Sequence, residues 1–394
     1  MKIALISSEY PPSGAGIAQY VEKLAFGLIE RGHSVEILTR GSAGSSKREI
    51  VSNKLTVRRL RFLPIFPLGN LMLGMQIEKM ALESRLNVDI INLHSPAPIR
   101  VASSVPLILT IHNVLAANTE ELRRGKGIPS AARMASPVLS FFEGACIRNS
   151  SKLVAVSESV ARQIQDSHGI SNGLIEVVGN GVDIERFSPS HAIPKSNYIL
   201  YTGRLHRSKR IDILIRAFSE ITKDLPGVNL LIVGRGPEER TLRRQATKLD
   251  IGHKVIFTGW LTGDAYRDVV RNAQTYVLPS PYEGMSTSLL EAMASGVAAV
   301  ATDIPNNSEI IRNETDGLLF RNGDHGDLAA KILLLYQDEL LRAKIERNAR
   351  EVCTSNYDWK GVADKYARMF QSTISPCKSG FVEDGPTRTI GSRR

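Results

Sequence analysis

Two successive alternations of short apolar runs with helix-period segments constrain this chain more than any other feature. "KIALIS" reads as a buried strand, "GIAQYVEKLAFGLIERG" spaces its apolar residues as one helix face and stops on Gly32, and "HSVEILTR" is strand again. That is a βαβ unit. Further strands are predicted in "VDIINLH" (88–94), "PLILTIH" (106–112) and "KLVAVS" (152–157). After "VVGNGVDIERFSP" the alternation restarts: "YILYTGR", the helix "IDILIRAFSEI", "VNLLIVGRG", the helix "EERTLRRQATKL", "KVIFTGW" and "TYVLPS". The reading is α/β, two Rossmann-like doubly wound parallel-sheet halves joined near Gly179–Pro194, with ligands expected at strand carboxyl ends. The expected units are 1–185 and 186–354, followed by one last amphipathic helix over 355–374 and a polar, disordered tail over 375–394.

Composition narrows the function classes. A chain of 394 residues, 42% hydrophobic and 23% charged, has room for more than one buried core. The net charge of +10 is spread along the chain, with no aromatic-studded basic motif, so nucleic acid is not an expected partner. Cys146, Cys353 and Cys377 are far apart and lack metal-ligand spacing, which reads as free thiols in a reducing, cytoplasmic setting. The opening apolar run is too short for a secretory leader, and no run approaches a membrane span. "RRLRFLPIFPLGNLMLG" (58–74) is either a core loop with solvated arginines or a contact for an acceptor or membrane; the helix-like 130–149 is a second candidate for peripheral membrane contact.

The chemistry-bearing residues fall on predicted strand ends. Gly14 and Gly16 follow the first strand, where glycine lets the backbone turn tightly and aim N–H groups at an anion. Gln19 takes the third glycine's place of a dinucleotide fingerprint, and "ILTR" lacks the acidic ribose ligand, so a nicotinamide dehydrogenase is disfavoured. His94 and His112 each end a strand, and each is open to being a packed core residue or a ligand-facing one. Arg204 and Lys209 lie between a strand and a helix, where a guanidinium fork and a compact ammonium suit a diphosphate. Glu283 stands in the loop after "TYVLPS", and Glu291 in the helix "STSLLEAMASG", for which Ser286 or Thr287 is the expected N-cap. Carboxylates are poor phosphate ligands and good acceptors for paired hydroxyls. The spacing alone is equally compatible with a surface glutamate and a helix-dipole partner.

Taken together, "EYPPSGAG", "TIHN", "VVGNGVDIERF", "GRLHRSK", "IVGRGP" and "PSPYEGMSTSLLEAMASG" resemble the retaining nucleotide-sugar glycosyltransferases of family 4, over about residues 1 to 372. The resemblance implies the GT-B fold, two Rossmann-like domains facing each other across a cleft, with the last helix returning to the first domain. It implies that Glu291 accepts from ribose hydroxyls and Glu283 from hydroxyls of the transferred sugar, the E-x7-E pattern, with backbone N–H groups of Gly284, Met285, Ser286 and Thr287 assisting. Arg204 and Lys209 match the pair that neutralises the diphosphate, Gly14 and Gly16 the loop near the phosphates, and His112 the residue near the reacting sugar. Three positions depart from the family pattern: Arg210 where glycine is common after the lysine, no proline after Gly296, and Asn306-Asn307 where glycines are frequent.

The implied reaction moves a sugar from a nucleoside diphosphate sugar to an acceptor hydroxyl on a glycan, a lipid-linked molecule or a small molecule, with retention. No cofactor and no metal are expected, since no DxD-like pair follows a strand. A nucleotide-sugar 2-epimerase can share the fold. A glycoside hydrolase also uses two carboxylates, although it has no use for phosphate-binding loops. A non-catalytic sugar-nucleotide binding protein is the remaining alternative.

Overall fold

A computed structural model describes residues 1–12, 16–41, 47–61, 68–82, 86–95, 105–114, 143–189 and 195–374. Gly14, residues 62–67, most of 130–149 and the tail 375–394 lie outside the described residues.

The first alternation forms an eight-stranded sheet. Its strands are β1 (Lys2–Ser7), β2 (Ser34–Arg40), β3 (Lys47–Ser52), β4 (Leu55–Leu60), β5 (Ile90–Ser95), β6 (Leu107–Ile111), β7 (Lys152–Ala155) and β8 (Ile175–Val177), in the order β3-β4-β2-β1-β5-β6-β7-β8. All pairs are parallel except β3–β4. The second sheet is wholly parallel: β9 (Ser196–Thr202), β10 (Asn229–Val233), β11 (Val255–Gly259), β12 (Ala273–Leu278), β13 (Ala298–Thr302) and β14 (Leu318–Phe320), ordered β11-β10-β9-β12-β13-β14. Strand order reverses beside β1 and β5 in one sheet and beside β9 and β12 in the other. Those are the switch points where open α/β sheets leave a crevice.

Central strands are apolar along their length because helices cover both faces. Every residue of β1 after Lys2 is buried. Helix α1 (Gly16–Glu30) buries Tyr20, Val21, Leu24 and Leu28 on the first sheet. Helix α2 (Leu68–Leu82) covers the opposite face, where Leu73 and Ile77 join Ala4 and Ile6 of β1. Helix α3 (Glu158–His168) starts where Ser157 Oγ accepts from Val160 N and stops at Gly169, left-handed at φ 65°. On the second sheet, α4 (Ile211–Ile221) buries a wide apolar face against the sheet and α9 (His325–Gln337) and keeps Arg216 and Glu220 on its exposed face. The other helices there are α5 (Glu239–Lys248), α6 (Gly263–Arg271), α7 (Thr287–Ala294), the single turn α8 (Pro305–Ser308) and α10 (Glu339–Asn356).

Two expectations need correction. Residues 355–374 are not one helix: α10 runs to Asn356 and α11 spans Trp359–Ile374. The break follows from Val182 N donating to Tyr357 O and from Asp358 Oδ1 accepting from Lys360 N, which starts a new helix. The segment 58–74 is not a loop where it is described. Arg58 and Arg59 belong to β4, paired with Glu36 at 2.6 Å and with the Pro11 carbonyl at 2.6 Å, and Leu68 opens α2. The doubly wound parallel sheet is as expected, and the β3–β4 hairpin adds an antiparallel edge to it.

Helix α11 packs on α1 rather than on the second sheet. Tyr366 and Phe370 enter the core built from β1 and α1. There Tyr20 Oη donates to Tyr366 Oη at 2.9 Å, and Tyr366 Oη and Thr110 Oγ1 lie 3.0 Å apart.

Candidate active site

The two switch points face one another across a cleft of about 860 Å³, lined by Gly16, Tyr20 and His112 on one side and by Arg204, Lys209, Glu283 and Glu291 on the other. On the second-sheet side the loops after β9 and β10 stack backbone to backbone. Leu205 N donates to Arg235 O at 3.0 Å, and a Cβ on Gly234 would run into the Gly203 carbonyl. That stack leaves Arg204 exposed in the cleft, and its guanidinium has no partner among the described residues. Lys209 closes a single 3-10 turn capped by His206. Its Nζ donates to Glu283 Oε1 at 2.6 Å.

The loop carrying Glu283 is clamped between the two halves of the molecule. A Cβ on Gly284 would overlap the His112 carbonyl and lie 2.9 Å from Asn113 Oδ1, so only glycine lets the loop approach this closely. Asn306 Nδ2 donates to the Gly284 carbonyl at 2.6 Å and to Ser157 Oγ at 3.1 Å, and Asn180 Nδ2 donates to the Met285 carbonyl at 2.7 Å. Ser286 then caps α7, accepting from Leu289 N at 3.3 Å. Thr287 and Ser288, in the first turn of α7, line the cleft, which puts a helix N-terminus with its unpaired N–H groups against any anion bound there.

The chain matches the family model described as Glycosyltransferase Family 4 over residues 14–186 and that described as Glycosyl transferases group 1 over residues 183–352. It is 28% identical to the glycogen synthase of Mycobacterium tuberculosis, covering 94% of each chain. In fold it is similar to sucrose-phosphate synthase from Thermosynechococcus elongatus, with a TM-score of 0.81 at 20% identity over 94% of this chain and 98% of that one. It is also similar to Anabaena Alr3699/HepE, solved in complex with UDP-glucose, with a TM-score of 0.70 at 18% identity over 94% of this chain and 100% of that one. The chain is a GT-B glycosyltransferase.

Within this glycosyltransferase the predicted residues are not equally placed. Arg204, Lys209, Glu283, Gly284, Met285, Ser286, Thr287, Glu291, His112 and Gly16 all line one cleft. A Cβ at Gly16 would meet open space, so glycine there leaves room on the cleft side rather than relieving a local clash. Met285 bridges the two halves: its Sδ lies 2.9 Å from Asn180 N, and its side chain packs against the first-sheet core and the second-sheet core alike.

Glu291 accepts from Tyr266 Oη at 2.6 Å. Burial pushes its carboxyl up to about 7, against the lowering effects of that hydrogen bond and of Arg186 and Lys23. Burial and the neighbouring Glu291 hold the Tyr266 hydroxyl well above its ordinary range, so it stays a donor. His112 is 6% exposed, and burial takes its imidazole down to about 3, which keeps it neutral. Among the described residues, no group of three or more His, Cys, Asp or Glu side chains is gathered as a metal site.

Sequence reasoning missed Tyr266, Asn180 and Asn306. Tyr266 is a single aromatic in a polar helix, with nothing at fixed spacing to connect it to Glu291. Asn306 carries no local signal beyond its departure from a glycine pattern. Asn180 lies within "VVGNGVDIERF", where nothing local marks its side chain as a partner for the Met285 carbonyl.

Proposed function

We propose that this glycosyltransferase transfers a sugar from a nucleoside diphosphate sugar to an acceptor hydroxyl with retention of anomeric configuration and without a metal ion. The observation that carries the reading is the convergence of Arg204, Lys209 and the α7 N-terminus with the carboxylates Glu283 and Glu291 around one cleft. Positive groups between two hydroxyl acceptors suit a ligand with a diphosphate between a ribose and a sugar. The UDP-glucose bound by Alr3699/HepE has that chemistry.

Breaking the sugar–phosphate bond builds negative charge on the diphosphate and positive charge on the sugar ring. Arg204, Lys209 and the helix N-terminus gain interaction energy as that charge develops, so they lower the barrier rather than merely tighten binding. A neutral His112 adds no positive charge beside the ring. Glu283 is held by Lys209 and Glu291 by Tyr266, which leaves neither carboxylate poised as a nucleophile or as half of an acid/base pair. Retention then follows a front-face course: the C1–O bond to phosphate breaks, the acceptor oxygen bonds C1 on the same face, and the departing diphosphate oxygen takes the acceptor proton.

The test is turnover of a panel of nucleoside diphosphate sugars with glycan, lipid-linked and small-molecule acceptors, in chelator and in added Mg²⁺ or Mn²⁺. NMR of the product assigns the anomer. Saturable binding of one donor, a retained anomer and activity in chelator are expected. An inverted product, a strict metal requirement, or epimerised sugar in the absence of acceptor overturns the reading.

A further inference from the structure

His112 has a buried neighbour with no other evident task. His94 lies near the end of β5, in register with Ser7 of β1 and Thr110 of β6. Its Nδ1 is 3.2 Å from His112 Nε2, and the two ring planes lie 24° apart with centroids 5.4 Å apart. Tyr20 stands edge-on to both rings, and its hydroxyl is already committed to Tyr366. His94 is 1% exposed, and its Nε2 has no hydrogen-bond partner among the described residues. Because His112 turns Nε2 toward His94, Nδ1 is the nitrogen it has left for a ligand in the cleft that it lines.

Two neutral proton arrangements satisfy the contact. In the first, His94 Nδ1–H donates to His112 Nε2, the His112 proton sits on Nδ1, and the orphan His94 Nε2 is a bare lone pair. In the second, His112 Nε2–H donates, His112 offers only a lone pair at Nδ1, and His94 must bury an Nε2–H with nothing to receive it. A buried N–H without an acceptor is the costlier orphan, and folded proteins tolerate it less often than an under-used acceptor. The first arrangement is therefore favoured. Burial also lowers both imidazoles, which removes the doubly protonated alternative.

We propose that His94 is a positioning residue whose Nδ1–H fixes His112 as the Nδ1–H tautomer, making His112 a neutral hydrogen-bond donor toward an oxygen of the transferred sugar. The identity of that ligand rests on the glycosyl-transfer reading above; the tautomer does not. A donor at this position orients the sugar without placing a cation beside a ring that becomes positive during transfer.

The experiment is ¹⁵N NMR of histidine-labelled full-length protein, with His112 assigned by its loss in His112→Gln. Imidazole nitrogen shifts distinguish the two tautomers directly. His112 is expected as Nδ1–H in the wild type. His94→Phe should release it to a mixture and lower donor kcat/KM about tenfold, the loss of roughly one hydrogen bond. His94→Asn, whose amide N–H replaces Nδ1–H, should restore the tautomer and most of the rate. An Nε2–H tautomer in the wild type, which needs no variant to measure, overturns the proposal. So does an unchanged tautomer or unchanged kcat/KM in folded His94→Phe. An intact Nδ1–H tautomer in a protein that turns over no nucleotide sugar overturns the glycosyl-transfer reading alone.

Discussion

Lys209 Nζ and Glu283 Oε1, 74 positions apart in the chain, are joined at 2.6 Å by the loops after β9 and β12. Both side chains are mostly withdrawn from water, at 21% and 12% exposure. Removing one partner strands the other's charge, a larger loss than removing both. Lys209→Ala should lower stability by about 1–2 kcal/mol, and Lys209→Ala with Glu283→Gln should recover most of it. On the proposed role of this cation, both variants should lose donor turnover on the order of a hundredfold or more. Denaturant melts and kcat measured on the same four proteins of the cycle separate the two effects; additive stability losses would sink the pairing.

Glu291 ties pH to stability and, on the proposed function, to donor binding. Its carboxyl is raised from an ordinary 4.5 to about 7, so the folded protein holds this proton longer than the unfolded chain does. The stabilisation from that proton is fully present below about pH 4.5 and is lost as pH rises to about 7. Glu291→Gln keeps an acceptor for Tyr266 and carries no charge to bury. Its melting temperature should match the wild type near pH 5 and exceed it near pH 8. Donor affinity should fall at least about tenfold near pH 8, where the wild type has an ionised acceptor for hydroxyls. Wild-type donor affinity should itself weaken as pH drops through about 7. Thermal scans and calorimetric titration at both pH values check the pair of signs.

How much of this was legible in the sequence depends on how local the determinant is. Buried parallel strands write themselves as continuous apolar runs, so β1, β2, β9 and β10 were readable from "KIALIS", "SVEILT", "YILYT" and "VNLLIV". Ser286 was readable as a cap because capping is decided within three residues. The β3–β4 hairpin was not, since β3 is an edge strand with exposed residues and no clean alternation. Nor were the contacts that assemble the site: Tyr266 reaching Glu291, Asn306 spanning Ser157 and Gly284, and His94 meeting His112 are long-range pairs with no periodic signature. The resemblance supplied which residues face the cleft. Only the fold supplied which of them hold each other.

Arg210 illustrates a departure with a measurable cost. It adopts φ 48°, a left-handed conformation that disfavours a Cβ-bearing residue, at the position where the family pattern has glycine. Its ion pair with Asp212 at 3.2 Å lies at the surface and contributes little. Arg210→Gly removes the strain, offset in part by the greater freedom of glycine in the unfolded chain, for a net gain of about 0.5–1 kcal/mol. The melting temperature should rise by about 1–4 °C. A fall in melting temperature would show that the Asp212 contact matters more than the backbone.

Gly284 leaves no room for a side chain between the two halves of the site. A methyl group there meets the His112 carbonyl and Asn113 Oδ1, both on the opposite half of the molecule, so Gly284→Ala forces the two halves apart or displaces the loop. Within the second sheet nothing needs to change, because the obstructing atoms belong to the other domain. The variant should therefore fold with wild-type circular dichroism yet lose on the order of a hundredfold in kcat, since a displacement of about 1 Å between reacting groups has that effect. Donor affinity should fall less than kcat, because Arg204, Lys209, Glu283 and Glu291 all remain on the half that moves together. Near-normal turnover by Gly284→Ala would mean that the contact with His112 is not required for the reaction.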